Sequence, residues 1–383
     1  MDTTIYTTDI IIAGILILAL VCQLYYYFRY INGSLRINRR YKKGKQPISE
    51  AQPGVSVIIC ARNEEDNLRN YLSSILEQDY PTFEVIVIND ESSDETPVVL
   101  DRYARLYPNL HITFVPTGAR IQSSKKLGLT LGVKAAKYDY LLFTDADCRP
   151  ETSHWISSIM QHYTPGTEIV LGYGAYFKEK GLLNRLIQYD TFFNGLLFLG
   201  MAASGKPYMG VGRNLSYTKA LFERNKGFSG SLQLRSGDDD LFINKTATSS
   251  NTQIAIGEES VTWSEPKHTW REWLQQKRRH LYVSPYYSSA SKLRIGAESF
   301  SRGLFYIAVI VLLIVGTPYF KLGAAAALLL RYLIQLCIVN SSTSLYKQQK
   351  FGLGILFYDI FLPLVNLYVL LGRNTKKSRR QHW

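Results

Sequence analysis

Residues 10–28, IIIAGILILALVCQLYYYF, form a 19-residue apolar run whose only strongly polar side chain is Gln23. About 20 such residues are what an α-helix needs to cross a bilayer. The flanks argue for a lipid environment rather than the centre of a soluble core. Tyr25, Tyr26, Tyr27 and Phe28 close the run as an aromatic belt. Arg29, Arg36, Arg39, Arg40, Lys42, Lys43 and Lys45 follow, with no acid among residues 29–45. A cleaved signal segment has the opposite order, basic residues first and small residues last. Here Asp2 and Asp9 come first. The expected reading is an uncleaved transmembrane anchor over residues 1–28, N-terminus outside. A basic juxtamembrane linker over 29–52 then lies on the cytoplasmic side.

Three more apolar runs come late, at 303–320, 323–340 (with Arg331) and 352–372 (with Asp359 and Pro363). A charge inside such a run must face protein or snorkel to the surface. If all three cross, the basic tail 373–383 lands on the side opposite the first basic cluster. One run is therefore re-entrant, or the positive-inside rule is broken. Those two flanks hold twelve of the thirteen excess positive charges, so the rest of the chain is nearly neutral. A nucleic-acid binder is basic across its folded face; no nucleic-acid partner is expected. Cys22, Cys60, Cys148 and Cys337 form no CxxC pair, which argues against a disulfide framework or a zinc site.

Between the apolar ends, residues 53–300 read as an α/β domain. VSVIICA at 55–61 is β-rich and follows Pro53 and Gly54. Leu68, Tyr71, Leu72, Ile75 and Leu76 share one helical face. Residues 84–88 predict a second strand, and Ser92 with Glu95 predicts a capping box before a helix with Pro97 in its first turn. Residues 112–115 and 140–143 predict two further strands, with a helix near 125–137 between them. Strands alternating with helices form a mostly parallel sheet, whose ligands bind beyond the carboxyl ends of the strands. Those ends carry Ala61-Arg62-Asn63-Glu64, Asn89-Asp90 and Asp145-Ala146-Asp147. On an extended segment Asp145 and Asp147 point the same way and can share a divalent cation. Oxygen ligands suit Mg²⁺ or Mn²⁺. No P-loop offers a rival phosphate site. A second acidic cluster, Asp238-Asp239-Asp240, costs stability by mutual repulsion unless a cation or catalysis sustains it.

Together these marks resemble the membrane-bound family 2 glycosyltransferases. These are inverting GT-A enzymes that include cellulose, chitin, hyaluronan and poly-N-acetylglucosamine synthases and ceramide glucosyltransferases. VSVIICARNEEDNL at 55–68, VIVINDESSDET at 85–96, FTDADC at 143–148 and SGDDDLF at 236–242 stand in the family's order, followed by a QxxR helix, Gln276 to Arg279. The resemblance covers about two thirds of the chain. It implies a GT-A domain with a Rossmann-like mixed sheet, flanked by transmembrane helices 1–28 and 301–372. The chain would then be an integral protein of the cell's inner or plasma membrane, its catalytic domain cytoplasmic. Ala61, Arg62, Glu64, Asp90, Lys125 and Asp145 would bind a nucleotide-sugar donor, a UDP-sugar, with Asp145 and Asp147 holding Mg²⁺ or Mn²⁺. Asp238 would be the general base, Asp239 the alternative, and Gln276 and Arg279 would reach acceptor or diphosphate. Gly212, Asn214 and His280 would lie on the acceptor side.

The sequence departs from the family twice. Gly237 stands where the family has Glu, and His280 where the QxxRW motif has a Trp that resembles a stacking platform for a growing chain. The second departure, with only four apolar runs, tilts the expectation toward a single sugar passed to a lipid-linked or glycan acceptor. A processive synthase and a catalytically inactive membrane subunit are the alternatives. Residues 182–203, apolar but broken by Arg185, Gln188, Asp190 and Asn194, predict an interfacial helix able to guide a lipid acceptor, or a core helix of the domain.

Overall fold

The computed structural model describes residues 3–116, 123–234 and 236–371. The chain opens with α1 (Thr3–Tyr26), a π-helical turn (Tyr27–Ile31) and α2 (Gly33–Lys42). The π turn pulls carbonyls out of the α ladder, and side chains answer them: Arg36 and Ser204 both donate to Arg29 O, at 3.1 and 2.8 Å.

The alternation expected from the sequence follows as β1 (Val55–Ala61), α3 (Glu65–Leu76), β2 (Phe83–Asn89), α4 (Thr96–Leu106), β3 (Leu110–Phe114), α5 (Ser124–Ala135) and β4 (Tyr140–Asp145). These four strands pair in parallel in the order β3-β2-β1-β4. Period-two alternation splits their side chains between two layers. Val57, Ile59, Val85 and Val87 pack with α3 and α4, while Ile58, Ile86 and Ile88 pack with α5. The capping box at Ser92 and Glu95 does not form. Asp94 Oδ1 accepts from Thr96 N at 3.0 Å, and Ser92 Oγ accepts from Asn63 N at 3.0 Å, so residues 90–95 bridge two strand ends instead.

Next come β5 (Cys148–Pro150), α6 (Trp155–Met160), β6 (Ile169–Leu171), β7 (Gly174–Tyr176), α7 (Leu182–Ala202), β8 (Leu215–Thr218), α8 (Lys219–Arg224), α9 (Asp240–Thr246), β9 (Thr252–Ile254) and β10 (Thr262–Ser264). The main sheet is β3-β2-β1-β4-β8-β6-β9, with β8 antiparallel to both neighbours, and a small sheet β5-β10-β7 stands beside it. α7 is a core helix, because Arg185, Gln188 and Asp190 face protein and only Asn194 of the four polar residues is exposed. Lys277 meets Asp190 at 2.7 Å, and the Arg185 guanidinium lies 4.5 Å over the Phe351 ring. It crosses the juxtamembrane segment at glycine. A Cβ on Gly200 would come within 1.8 Å of Tyr30 O, and one on Gly33 within 2.5 Å of Gly200 Cα.

The chain ends in α10 (Trp270–Val283), α11 (Ser289–Val315), α12 (Pro318–Ser342) and α13 (Ile355–Leu371). Among the described residues, four helical segments are long and apolar enough to cross a membrane: Tyr6–Lys42, Ser289–Val315, Pro318–Tyr346 and Gly352–Leu371. The run expected at 303–320 is cut at Gly316-Thr317, since α12 starts at Pro318, which fits a helix's first turn. The boundaries expected at 28/29 and 300/301 fall inside continuous helical segments. The basic tail 373–383 lies outside the described residues. Arg331 and Asp359 face one another at 2.8 Å, fully buried. Arg302 joins Asp359 at 3.3 Å and Glu298 at 2.8 Å, and Gln23 Oε1 accepts from Arg331 at 2.9 Å. Two cations and two anions thus neutralise each other where α1, α11, α12 and α13 meet.

Candidate active site

In-register pairing of Ala61 with Asn89 and of Cys60 with Asp145 brings the three strand ends side by side. Asp90 N donates to Ala61 O at 2.8 Å. Ala61 is fully buried and its carbonyl is taken. It is therefore floor beneath the site, not the donor contact expected. The Asp90 carboxylate is buried; its Oδ2 accepts from Ser124 Oγ at 2.6 Å and faces Arg62 NH1 at 3.9 Å. Its Oδ1 has no hydrogen-bond partner among the described residues. A buried acceptor left unmet costs about 1–3 kcal/mol, unless a ligand donates to it. Glu64 Oε2 accepts from Asn67 at 2.6 Å, and burial raises its carboxyl above the ordinary value.

Asp145 ends β4, and Asp147 follows in the turn to β5. Lys125, in the first turn of α5, lies 2.9 Å from Asp145 Oδ1 and 3.6 Å from Asp238 Oδ2. Burial opposes its charge, but Asp145 and Asp238 outweigh burial and hold its pKa above the ordinary lysine value. Burial and then the Asp145 carboxylate push Asp147 up. Asp147 Oδ2 accepts from Ser264 at 3.0 Å, and Asp145 Oδ2 bonds nothing among the described residues. This oxygen-only pair, with one carboxylate edge open, fits a hard divalent cation such as Mg²⁺ or Mn²⁺. A second ligand-type cluster, Glu179, Glu265 and His268, is largely exposed, and its Glu265 directly follows the Ser264 that donates to Asp147.

The other acidic cluster begins at Gly237, whose φ is +94° and whose Cβ would meet Leu241 Cδ1 at 2.5 Å. The Glu usual in the resembled family would be strained on this backbone, which gives the departure a physical reason. Asp239 caps α9, its Oδ1 accepting from Asp240 N and its Oδ2 from Gly212 N, each at 2.7 Å. Burial and Asp238 push Asp239 up to about 6. Asp240 accepts from Tyr287 OH at 2.7 Å, and burial and Asp239 push it up to about 8. Lys125, Asp145, Gly212, Asp238 and Asp239 line one cavity. Asn214 does not join them. It is fully buried, donating to Tyr173 O and Ser260 O at 2.9 and 2.6 Å and accepting from Trp155 Nε1, a core strut rather than an acceptor contact.

α10 begins with a capping box, Thr269 with Glu272. Its Gln276 donates to Tyr176 OH at 2.9 Å. Arg279 is exposed, close enough to Asp145 to lower the latter's pKa further. Crowding by the surrounding protein, then Arg213, Arg279 and Lys277, lower the pKa of His280, whose side chain is nonetheless exposed to solvent. Two residues escaped the sequence reading. Lys126, fully buried, donates to Ser231 O, Leu234 O and Ser236 O at 2.6, 2.9 and 2.9 Å, bracing the loop before the acidic cluster. Nothing in the sequence separates its task from that of Lys125. Arg213 lies 4.2 Å over the Tyr176 ring, and its place in a Gly-rich loop was the available signal.

A mixed α/β sheet with carboxylates gathered at its strand ends is the architecture of a GT-A-like fold. Residues 56–225 match Glycosyl transferase family 2, and residues 141–371, more than half of the chain, match Glycosyl transferase family group 2. The chain belongs to this glycosyltransferase family. It is 26% identical over 273 residues to "Probable glycosyltransferase YdaM" of Bacillus subtilis, covering 67% of this chain and 62% of that protein. It is 34% identical over 136 residues to the 4,4'-diaponeurosporenoate glycosyltransferase of Staphylococcus haemolyticus, covering 35% of each. A Staphylococcus epidermidis poly-beta-1,6-N-acetyl-D-glucosamine synthase is 30% identical over 131 residues, covering 33% of this chain and 29% of that one. The chain thus spans under two thirds of the first relative and about a third of the others. Among solved structures, the mannosyltransferase PcManGT from Pyrobaculum calidifontis, in complex with GDP-Man and Mn²⁺, superimposes with a TM-score of 0.59. It is 18% identical and covers 97% of this chain and 99% of that chain. This likeness establishes the fold.

Proposed function

We propose that the protein is a membrane-bound inverting glycosyltransferase that moves one sugar from a nucleoside diphosphate, a UDP-sugar, to a lipid-linked or glycan acceptor. The observation that carries this reading is Lys125, whose ammonium touches both Asp145 and Asp238. Donor-side and acceptor-side carboxylates therefore flank one point, as a displacement between them requires. The unmet Asp90 Oδ1 suits a base that presents an imide N–H. Asp145 and Asp147 would hold Mg²⁺ or Mn²⁺, which when bound neutralises charge on the diphosphate. Asp238 is the base, since both oxygens of Asp239 already accept backbone N–H groups. It takes the proton of the acceptor hydroxyl. The acceptor oxygen bonds to the anomeric carbon as the bond to the diphosphate breaks, and the configuration inverts. Lys125 and Arg279 offset charge on the departing group.

Among the relatives, one name specifies a diaponeurosporenoate, a lipid, and another a polysaccharide. His280 in place of a broad indole platform favours transfer of a single sugar over polymerisation. The divisions proposed are the anchor (1–28), linker (29–52), cytoplasmic catalytic domain (53–300), membrane helices (301–372) and tail (373–383), in the cell's inner or plasma membrane.

The test incubates detergent-purified protein with a panel of nucleotide sugars and Mg²⁺ or Mn²⁺ and measures released nucleoside diphosphate. Metal-dependent release from one donor, lost in Asp238→Asn and Asp147→Ala, is expected, and native lipid extract then reports on the acceptor. Nucleotide binding without release from any donor would favour an inactive subunit.

A further inference from the structure

Arg213 sits among the candidate site residues but has no role in the reading above. Its backbone carbonyl accepts from Thr144 Oγ1 and Thr262 Oγ1, both at 3.0 Å. It is thereby fixed to β4, which ends in Asp145, and to β10, which carries the Ser264 that donates to Asp147. The guanidinium carbon lies 4.2 Å from the centre of the Tyr176 ring, and its NH1 donates to Ala175 O at 3.1 Å. Tyr176 OH in turn accepts from Gln276. Gly174 leaves the room for this stack, since a Cβ there would come 3.1 Å from Arg213 Cβ.

The side chain is therefore rigid, yet two of its three nitrogens, Nε and NH2, bond nothing among the described residues. No carboxylate comes within ion-pair distance of it among those residues, although its charge reaches Asp145 and Asp147. Lys125 is already committed to two carboxylates. A preorganised guanidinium with an open fork, held beside acids it does not pair with, is built to receive an anion between them.

We propose that Arg213 binds the donor's diphosphate and carries part of its charge as the sugar departs, a role that rests on the donor site proposed above. The cleavage is the one already described. The diphosphate oxygen keeps the electron pair of its bond to the anomeric carbon, and Arg213 meets that growing charge without giving up a proton.

Calorimetric titration of the full-length protein with UDP and UMP, and with GDP and GMP, in the presence and absence of Mn²⁺, tests this. Arg213→Gln is expected to weaken diphosphate binding about tenfold or more while leaving monophosphate binding within about twofold. Arg213→Lys, which keeps the charge and the stem over Tyr176 but loses the fork, should fall between. Equal loss for diphosphate and monophosphate in both variants would overturn the proposal, assigning Arg213 to the scaffold. Unchanged diphosphate binding would overturn it too, and a raised acceptor KM beside it would give Arg213 to an anionic acceptor. Wild-type protein that binds no nucleotide would sink the donor site itself; wild-type binding with an indifferent Arg213 would sink only this role.

Discussion

Two neighbouring lysines leave the first turn of α5 for different tasks. Lys125 reaches the carboxylates of Asp145, at the end of β4, and of Asp238, before α9, and Lys126 is swallowed by three backbone carbonyls just before the acidic cluster. Replacing Lys126 by Met would leave those carbonyls unmet and free the loop that aims Asp238. Turnover should fall at least about tenfold while nucleotide affinity holds, read as a kcat loss without a KM change. Asp240 permits a pH prediction. Its folded pKa of about 8 lies well above the ordinary aspartate value of about 4. Between those values the unfolded chain gives up the proton that the folded one keeps, so this group's stabilisation is complete below pH ~4 and is lost as pH rises toward ~8. Melting temperatures of the wild type should decline over that window, and Asp240→Asn should flatten the decline. At this scale the placing of Asp90 and Asp145 at strand ends was legible, because both directly close β-rich runs, and Asp238 stood out as one of three adjacent acids. The burial of Ala61 and Asn214 was not, because burial depends on what packs behind a residue.

The charged residues inside the late apolar helices are decided at the scale of the element. Arg331 and Asp359 each forbid lipid exposure, and the helices turn so that the two meet, with Arg302, Glu298 and Gln23 completing the pairing. Arg331→Met leaves one cation, Arg302, against the two buried acids Asp359 and Glu298 and should destabilise the protein by about 3–5 kcal/mol. The double change Arg331→Met with Asp359→Leu should recover most of that loss in thermal unfolding in detergent. Periodicity located α3, α5 and the four parallel strands, since each buries its own apolar face. It left α7 open between an interfacial and a core helix, because Arg185 and Asp190 look like a polar face. Only their partners, Phe351 and Lys277, reveal them as pins between elements.

In the whole molecule, catalytic domain and membrane helices are not separable bodies. One continuous core runs from Ile58, Ile86 and Ile88 in the sheet through α7 to Tyr27 and Ile31 beside α1, and on to Ile338, Tyr346 and Ile355 near α12 and α13. A fragment of residues 53–288 would expose that core. It should elute as an aggregate and lack a cooperative thermal transition, whereas a monodisperse fragment with a sharp transition would contradict the shared core. The sequence by itself determined the family, the α/β order, the membrane character and the acids at the strand ends. These follow from local periodicity and from side-chain types with few alternative uses. Only the tertiary structure decided that Lys125 bridges Asp145 and Asp238, that Arg213 makes no ion pair with them among the described residues, that Asn214 is a strut, and that Gly200 lets the juxtamembrane turn approach α7. Each depends on contacts between residues far apart in the chain, whose distances no local pattern encodes.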